Sequence, residues 1–156
     1  MAGYGQPLIL DWSAYARVLV ANQKGPGDGR LTAAQLQEFN QAVLDGDLHV
    51  CPPFRLEARY SAQGDAEFAQ IERTLNGFEQ ADSDDRTFAV ALTAQQDLAQ
   101  ATGISHRVKP VDLMIAALGH QHGLGVLHYD KDYEALSSRS SLVFTSRWIA
   151  PKGSVD

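Results

Sequence analysis

The chain has 156 residues, a length that fits one domain with a buried core. Hydrophobic residues make up 44% and charged residues 21%, which is typical of a globular protein and excludes disordered and fibrous classes. The net charge of −6 argues against a protein that holds nucleic acid by counterion release alone. Any role on nucleic acid therefore requires a metal or a local basic rim.

Cys51 is the only cysteine, which excludes an internal disulfide, a four-cysteine zinc site and a CxxC redox motif. We expect it to be a small buried apolar residue. The N-terminal MAGYGQPLILDWS lacks the basic region and long apolar core of a secretory signal. Apolar runs are too short to span a bilayer, so we expect a cytoplasmic protein without membrane contact.

The first half of the chain predicts two short strands, each followed by helices. The apolar run 7–10 ends in Asp11 and suits a buried strand. Ser13 is then expected to cap a helix over 14–20, and the glycine-rich 22–30 to form a loop. The other elements predicted here are a helix opened by a Thr32–Gln35 capping box and stopped at Asp45-Gly46, a strand over 48–51, a helix after Pro52-Pro53 that carries Glu57, and a helix over 65–76.

The second half predicts one long helix, then a helix and strand rich in aspartate at their ends. These elements are a short strand near 78–81, a helix capped by Ser83 or Asp84 with Phe88, Ala91, Leu92 and Leu98 at helical spacing up to Gly103, a basic connector over 104–110, an apolar helix opened by Asp112 and stopped at Gly123, a short strand before Asp130, and a last strand over 142–144. We expect one domain over 1–150 and a frayed tail over 151–156. Strands that alternate with helices predict an α/β domain with a largely parallel sheet.

Four carboxylates occupy informative places in this pattern. Asp11 and Asp130 directly follow strands, Glu57 lies in the helix after the second strand, and Asp112 opens the helix before the Asp130 strand. Ligands of open α/β sheets bind beyond the carboxyl ends of the strands, so these four side chains could converge. Carboxylates that share a site repel one another, and Mg²⁺ or Mn²⁺ relieves that repulsion. The chemistry indicated is metal-assisted hydrolysis of a nucleic-acid backbone.

Three blocks of the sequence are informative together: LILDWSAYARV over 8–18, FRLEARYSA over 54–62 and KPVDLMIAALGHQHGLGVLHYDKDYEAL over 109–136. They resemble the PIN-domain family, and the similarity is greatest to the VapC-type ribonuclease toxins of bacterial toxin–antitoxin pairs. The ending WIAPKGS also looks like that subgroup, whereas the middle helices match only in pattern. The resemblance implies a three-layer α/β/α domain with a central, mainly parallel sheet of four or five strands.

By this resemblance Asp11, Glu57, Asp112 and Asp130 match the acidic quartet of the family, which binds Mg²⁺ or Mn²⁺. The implied activity is endoribonuclease cleavage by a metal-activated water, leaving a 5′-phosphate and a 3′-hydroxyl. Ser13 matches the family's small hydroxyl residue, which would orient a carboxylate, although a plain helix cap is an equal interpretation. The implied partners are RNA, a second copy of the chain, and a small DNA-binding antitoxin whose tail covers the acidic site.

Several neighbouring residues keep alternative interpretations. Asp132 could bind a second metal or cap the helix that begins near Tyr133, and capping is favoured. Trp12 is unusual for the family and could alter the rim of the pocket. Arg107 and Lys109, with His106, could contact RNA phosphates or face solvent, and phosphate contact is favoured slightly.

The histidines near the C-terminal aspartates suggest no zinc centre. His120 and His122 are two residues apart on a helix and point in different directions, so helix-end roles are favoured over metal binding. His128 lies in an apolar strand and is expected to be a hydrogen-bonded core residue rather than a general base.

Two other function classes remain open from sequence. A PIN-like module could bind RNA or protein without cleaving it, although all four acids are present. A receiver-type phosphoacceptor domain has some support from Asp11 and Lys109-Pro110, but Trp12 stands where receivers carry a second acid, and Glu57 lies inside a helix.

Overall fold

The computed structural model describes residues 2–102 and 106–156, and these residues form helices packed on both sides of one sheet. The strands are β1 (Leu8–Leu10), β2 (Leu48–Val50), β3 (Glu79–Gln80), β4 (Gly125–His128) and β5 (Ser146–Trp148). The helices are α1 (Trp12–Lys24), α2 (Ala33–Leu44), α3 (Pro52–Tyr60), α4 (Asp65–Leu75), α5 (Thr87–Thr102), α6 (Pro110–His122) and α7 (Asp132–Arg139). None of the helices within these described ranges is both long and apolar enough to cross a membrane.

The five strands are all parallel and are ordered β3-β2-β1-β4-β5. From β1 the chain builds outward through β2 to β3, and then returns to place β4 on the other side of β1. Strand order therefore reverses between β1 and β4, and we call the crevice at their carboxyl ends the switch point. The prediction of a three-layer α/β/α domain with a mainly parallel sheet is confirmed.

The two central strands are buried over their whole length, which explains their apolar sequences. In the ladder between them Leu8 pairs with Gly125 and Leu10 with Leu127. Helix α6 packs directly against this pair of strands, and a Cβ added at Gly119 would lie 3.1 Å from the carbonyl oxygen of Leu124. Close packing of α6 on β4 thus depends on a residue without a side chain.

Helix ends follow the predicted pattern except at α1 and at the start of α5, which begins at Thr87 rather than directly after the predicted caps Ser83 or Asp84. The capping box of Thr32 and Gln35 is present at the start of α2, as predicted. Helix α1 begins two residues earlier and ends four residues later than predicted, so the predicted loop over 22–30 starts only at Gly25. The reason is that Asp11, rather than Ser13, is the N-cap of α1, and its carboxylate accepts a hydrogen bond from the Ser13 backbone N–H.

Helix α5 forms where predicted, but its buried face differs. Ala91, Ala94 and Leu98 are buried, whereas Phe88 and Leu92 are 70% and 64% exposed. Helix α5 packs on α6 and α7, and its buried residues include small alanines, whereas the larger apolar residues are left outside. The predicted helix end at Gly103 lies outside the described residues.

The prediction of a strand over 142–144 is wrong. Leu142 is buried and Phe144 is half-buried in a loop, and the paired edge strand is β5, in which Ser146 pairs with Val126. Leu142 is buried without joining the ladder, whereas Val143 is 76% exposed, and the half-exposed edge strand tolerates polar residues. The prediction of a frayed tail over 151–156 is also wrong. The backbone N–H of the last residue, Asp156, donates to the Gly29 carbonyl at 2.9 Å.

Candidate active site

Asp11 lies at the carboxyl end of β1 and is 3% exposed. Its backbone N–H donates to the Leu127 carbonyl, which continues the β1–β4 ladder past the last residue of β1. The Oδ2 atom accepts hydrogen bonds from the backbone N–H of Ser13 at 2.9 Å and from the Ser13 hydroxyl. The Ser13 hydroxyl in turn accepts the Tyr129 backbone N–H at 2.8 Å. Ser13 therefore links the Asp11 carboxylate to the chain that follows β4.

Glu57 and Asp112 meet Asp11 at the switch point. Glu57 is half-buried in α3, and Asp112 is buried in the first turn of α6. One ligand atom from each of Asp11, Glu57 and Asp112 lies within 4.8 Å of the others. We call these three residues the first carboxylate group.

Asp130 and Asp132 form a second carboxylate group with the shared Asp112, again with ligand atoms within 4.8 Å of one another. The backbone of Asp130 is held by His128: the Asp130 N–H donates to His128 Nδ1 at 3.1 Å. His128 is buried and its Nε2 lies 2.7 Å from the Ser146 hydroxyl, which agrees with the predicted hydrogen-bonded core residue. Because Nδ1 accepts a hydrogen bond, it carries no hydrogen in the neutral ring, and the ring hydrogen lies on Nε2.

Among these carboxyl groups, Asp112 is the one whose ionised form is most strongly disfavoured. Its burial raises the pKa of the carboxyl group to about 7, and repulsion from Asp11 and then Asp130 acts in the same direction. Burial first and then Asp11 raise the pKa of Glu57, and burial followed by Asp130 raises the pKa of Asp132. Lys109 lowers the pKa of all three carboxyl groups, so its positive charge acts on the site.

The donor set fits a hard divalent cation. Every candidate ligand in the two groups is a carboxylate oxygen, and among the described residues the clusters contain no histidine or cysteine. Buried carboxylates at this separation are costly unless a cation balances them, and the raised pKa of Asp112 records that cost. Oxygen ligands in two groups that share one residue could hold one or two such ions.

Tyr133 is a site residue that sequence reasoning missed. It lies in the first turn of α7 and is 0% exposed. Its hydroxyl donates to Asp11 Oδ1 at 2.6 Å and lies 3.4 Å from Asp112 Oδ1. The position directly after Asp132 was visible in the sequence, but nothing in the pattern of α7 indicates that this aromatic residue reaches the aspartate at the end of β1.

Two predictions about single residues are corrected by the structure. Asp132 does not cap α7 with its side chain; instead Asp130 Oδ1 accepts the Asp132 backbone N–H at 3.0 Å. Of the two interpretations of Ser13, the contact with the Asp11 carboxylate is the one observed.

The two histidines at the end of α6 make hydrogen bonds to backbone groups. His122 ends α6, as predicted, and its Nε2 lies 2.9 Å from the Asp82 carbonyl oxygen. His120 Nδ1 accepts the Val143 backbone N–H.

The residues predicted for the rim of the site are one aromatic residue and two basic residues. Trp12 is half-buried and packs against Phe54, with ring centroids 6.3 Å apart. Arg107 and Lys109 are exposed in the segment before α6. Cys51, as predicted, is buried and free.

Comparison with known proteins identifies the family. The PIN domain family model matches residues 18–138. Ribonuclease VapC18 of Mycobacterium tuberculosis is 33% identical over 116 residues, which cover 73% of this chain and 83% of that protein. This chain belongs to the PIN-domain family. Because the match to the family model begins after Asp11 and Ser13, the case for these two residues is the geometry described above.

Solved structures share the fold of this PIN-domain chain. DNA-bound VapBC from Salmonella typhimurium has a TM-score of 0.67 at 18% identity and covers 93% of this chain and 99% of that one. VapBC-5 from Mycobacterium tuberculosis, a member of the VapBC family of toxin–antitoxin systems, has a TM-score of 0.53 at 20% identity, covering 93% and 98%. The resemblance drawn from sequence is confirmed, and the receiver-type alternative loses its basis.

Proposed function

We propose that this PIN-domain chain is the toxin of a toxin–antitoxin pair and cleaves RNA as a divalent-metal-dependent endoribonuclease. One observation carries the proposal: two carboxylate groups that share Asp112 lie at the switch point of the sheet. The relative VapC18 is named a ribonuclease, which supports the same activity here. VapC17 of the same species, 32% identical over 83% of this chain, has that name too.

Mg²⁺ is the ion that we propose, with Mn²⁺ as a functional substitute. Both ions prefer oxygen ligands, and Mg²⁺ retains waters that a site with few protein ligands does not need to replace. When bound, such an ion supplies Lewis-acid chemistry that polarises the phosphodiester and activates water. Asp11, Glu57 and Asp112 would hold it, and Asp130 with Asp132 would hold a second ion or steady the first through Asp112.

The residues around the carboxylates have supporting roles. Ser13 keeps one oxygen of Asp11 turned toward α1, so the other oxygen faces the site. Arg107 and Lys109 would contact phosphates on either side of the bond that is cleaved, which brings an anionic chain to an acidic protein. The positive charge of Lys109 lowers the pKa of Glu57 and Asp112, which supports its place near the site.

The partners follow from the family. VapBC structures from Salmonella typhimurium and Rickettsia felis are described as bound to DNA, which fits a DNA-binding antitoxin. We propose that the antitoxin of this chain places a basic side chain near the carboxylates, since a guanidinium matches clustered carboxylates. We also propose that the toxin is a homodimer and acts in the cytoplasm, where its RNA substrate is found.

The test is cleavage of a fluorescently labelled RNA by the purified chain with Mg²⁺ or with EDTA. Asp112→Asn and Glu57→Gln preserve side-chain shape and are expected to reduce the cleavage rate at least ~100-fold, because several kcal/mol of metal-based stabilisation is lost. Glu67→Gln, which removes an exposed carboxylate from α4, is the matched control and should cleave like the wild type.

Each of the other outcomes has a defined meaning. Equal cleavage by Asp112→Asn and the wild type would show that these carboxylates are not the catalytic site. RNA binding without turnover in either Mg²⁺ or Mn²⁺ would instead favour the non-cleaving PIN-like module. Expression of the same variants in bacteria should give the same order, with growth arrest only from the wild type and the Glu67→Gln control.

A further inference from the structure

The Tyr133 hydroxyl is the only polar atom of α7 described in contact with two carboxylates of the first group. It lies 2.6 Å from Asp11 Oδ1 and 3.4 Å from Asp112 Oδ1. The side chain is fully buried, so water does not compete for this hydrogen bond. A hydroxyl has one proton to donate, and the shorter distance assigns that proton to Asp11.

The ring of Tyr133 is held by aromatic contacts as well as by its hydroxyl. It packs on His128, with centroids 4.9 Å apart and an interplanar angle of 32°. His128 packs in turn on Trp148 of β5, also at 4.9 Å. The hydroxyl is therefore carried by a ring stack that is anchored in two strands, and it has little freedom to move away from Asp11.

Both oxygens of the Asp11 carboxylate consequently have donors from different elements. Ser13 of α1 occupies Oδ2, and Tyr133 of α7 occupies Oδ1. Rotation of the carboxylate about its Cβ–Cγ bond would break both sets of hydrogen bonds. A carboxylate oxygen has two lone pairs, so Oδ1 can accept from Tyr133 and still offer one lone pair toward Glu57 and Asp112.

We propose that Tyr133 is a positioning residue for the divalent site: its hydroxyl holds the Asp11 carboxylate in the orientation that completes the first carboxylate group. This inference rests on the proposed function, because it presumes that the group binds a divalent cation. Hydrogen-bond partners of metal ligands typically contribute 10- to 100-fold to metal affinity. A ring that merely filled the core would contribute nothing to affinity through its oxygen.

The experiment titrates the full chain with Mn²⁺ alone by isothermal titration calorimetry, comparing wild type, Tyr133→Phe and Tyr4→Phe. Tyr133→Phe keeps the buried ring and removes one oxygen. Tyr4→Phe is the matched control, because Tyr4 is 8% exposed and its hydroxyl has no hydrogen-bond partner among the described residues. Thermal melting in EDTA, followed by circular dichroism, checks that each variant folds.

Tyr133→Phe is expected to bind Mn²⁺ about 10-fold more weakly than wild type, and Tyr4→Phe equally well. In RNA cleavage, the Mn²⁺ concentration for half-maximal rate should rise about 10-fold, while kcat at saturating Mn²⁺ stays near that of the wild type. A lower melting temperature does not produce this split, so the split separates positioning from a structural role.

Equal or tighter Mn²⁺ binding by Tyr133→Phe would overturn the inference, whatever its melting temperature. If Tyr133→Phe binds Mn²⁺ as tightly as the wild type while Asp112→Asn does not bind it, the role of Tyr133 is rejected and the proposed function stands. If the wild type itself binds no Mn²⁺, both the inference and the proposed metal site fail.

Discussion

Asp112 contributes a ligand atom to both carboxylate groups, so carboxylates of both groups repel its negative charge. In the folded protein its pKa is raised from 3.8 to about 7 by burial and by its neighbours. The folded state therefore binds more protons at this residue than the unfolded state between these two values. Stability from this group is complete below pH 3.8 and is lost as the pH rises through about 7.

We expect the metal-free wild type to lose stability relative to Asp112→Asn as the pH rises from 4 to 8. The difference in unfolding free energy should change by about 2 kcal/mol. His128 acts in the opposite direction, because burial lowers its pKa to about 4. Comparison with the variant cancels that contribution.

The measurement is denaturant unfolding in EDTA at constant ionic strength, at four or more pH values for both proteins. A difference in unfolding free energy that stays constant with pH would contradict the expectation. Addition of Mg²⁺ at pH 8 provides the control, since a bound cation should restore stability to the wild type more than to Asp112→Asn.

At the scale of single residues, the sequence indicated the acids but not their hydrogen-bond partners. Asp11 and Asp130 follow strands, and a strand end is visible in the apolar pattern. Asp132 was expected to cap a helix, yet Asp130 makes that hydrogen bond. Tyr133 was missed because its contact with Asp11 joins residues 122 positions apart, and such pairs are created only by folding.

Helix α6 and strand β4 are the elements on which the position of Asp112 depends. Gly119 lies where α6 meets β4, and an added Cβ would lie 3.1 Å from the Leu124 carbonyl oxygen and 3.2 Å from Val126 Cγ2. Leu124 directly precedes the central strand β4, so its backbone cannot move aside without disturbing that strand. A larger residue at Gly119 must therefore push α6 away from the sheet.

Gly119→Val is expected to reduce the unfolding free energy by about 2 kcal/mol through overpacking. Because Asp112 begins the same helix, RNA cleavage should fall at least ~10-fold at temperatures where the variant remains folded. Gly64→Val is the matched control: a Cβ there meets nothing within 4 Å, so it should lose less than about 1 kcal/mol and retain cleavage. Chemical denaturation and RNA cleavage measure the two effects. Equal stability of the two variants would show that α6 tolerates the extra volume.

At the scale of elements, most helices and strands were predicted and their exposed faces were not. Apolar periodicity located α5, but it selected Phe88 and Leu92 as core residues although both are largely exposed. The run over 142–144 has strand composition but forms a loop in which only Leu142 is buried, whereas the more polar β5 pairs with β4. Composition reports what a segment can bury, and the partner strand decides which segment joins the ladder.

The whole molecule carries a net charge of −6 and is expected to bind a polyanion, so the distribution of charge matters more than its total. Arg107 and Lys109 are both exposed beside the start of α6. The charge of Lys109 lowers the pKa of Glu57 in the first carboxylate group and of Asp132 in the second. We expect these two side chains to provide the local attraction for RNA.

The double variant Arg107→Gln/Lys109→Gln should bind RNA more weakly and with a lower dependence on salt. Each lost phosphate contact on a single strand reduces the slope of log K against log salt by about 0.7. Fluorescence anisotropy in the Asp112→Asn background measures binding without cleavage. Arg73→Gln removes an exposed charge from α4 and should keep the wild-type slope. Equal slopes for all three proteins would place the RNA-binding surface elsewhere.

The α/β class, the parallel sheet, the positions of most elements and the candidate acids could all be predicted from the amino-acid sequence. They could be predicted because apolar periodicity, helix caps and strand ends are local properties of the chain. The sequence did not reveal that Asp112 is shared by two groups, that Asp130 groups with Asp132, or that Tyr133 donates to Asp11. These relations depend on strand order and on the packing of α6 and α7, which bring distant residues into contact.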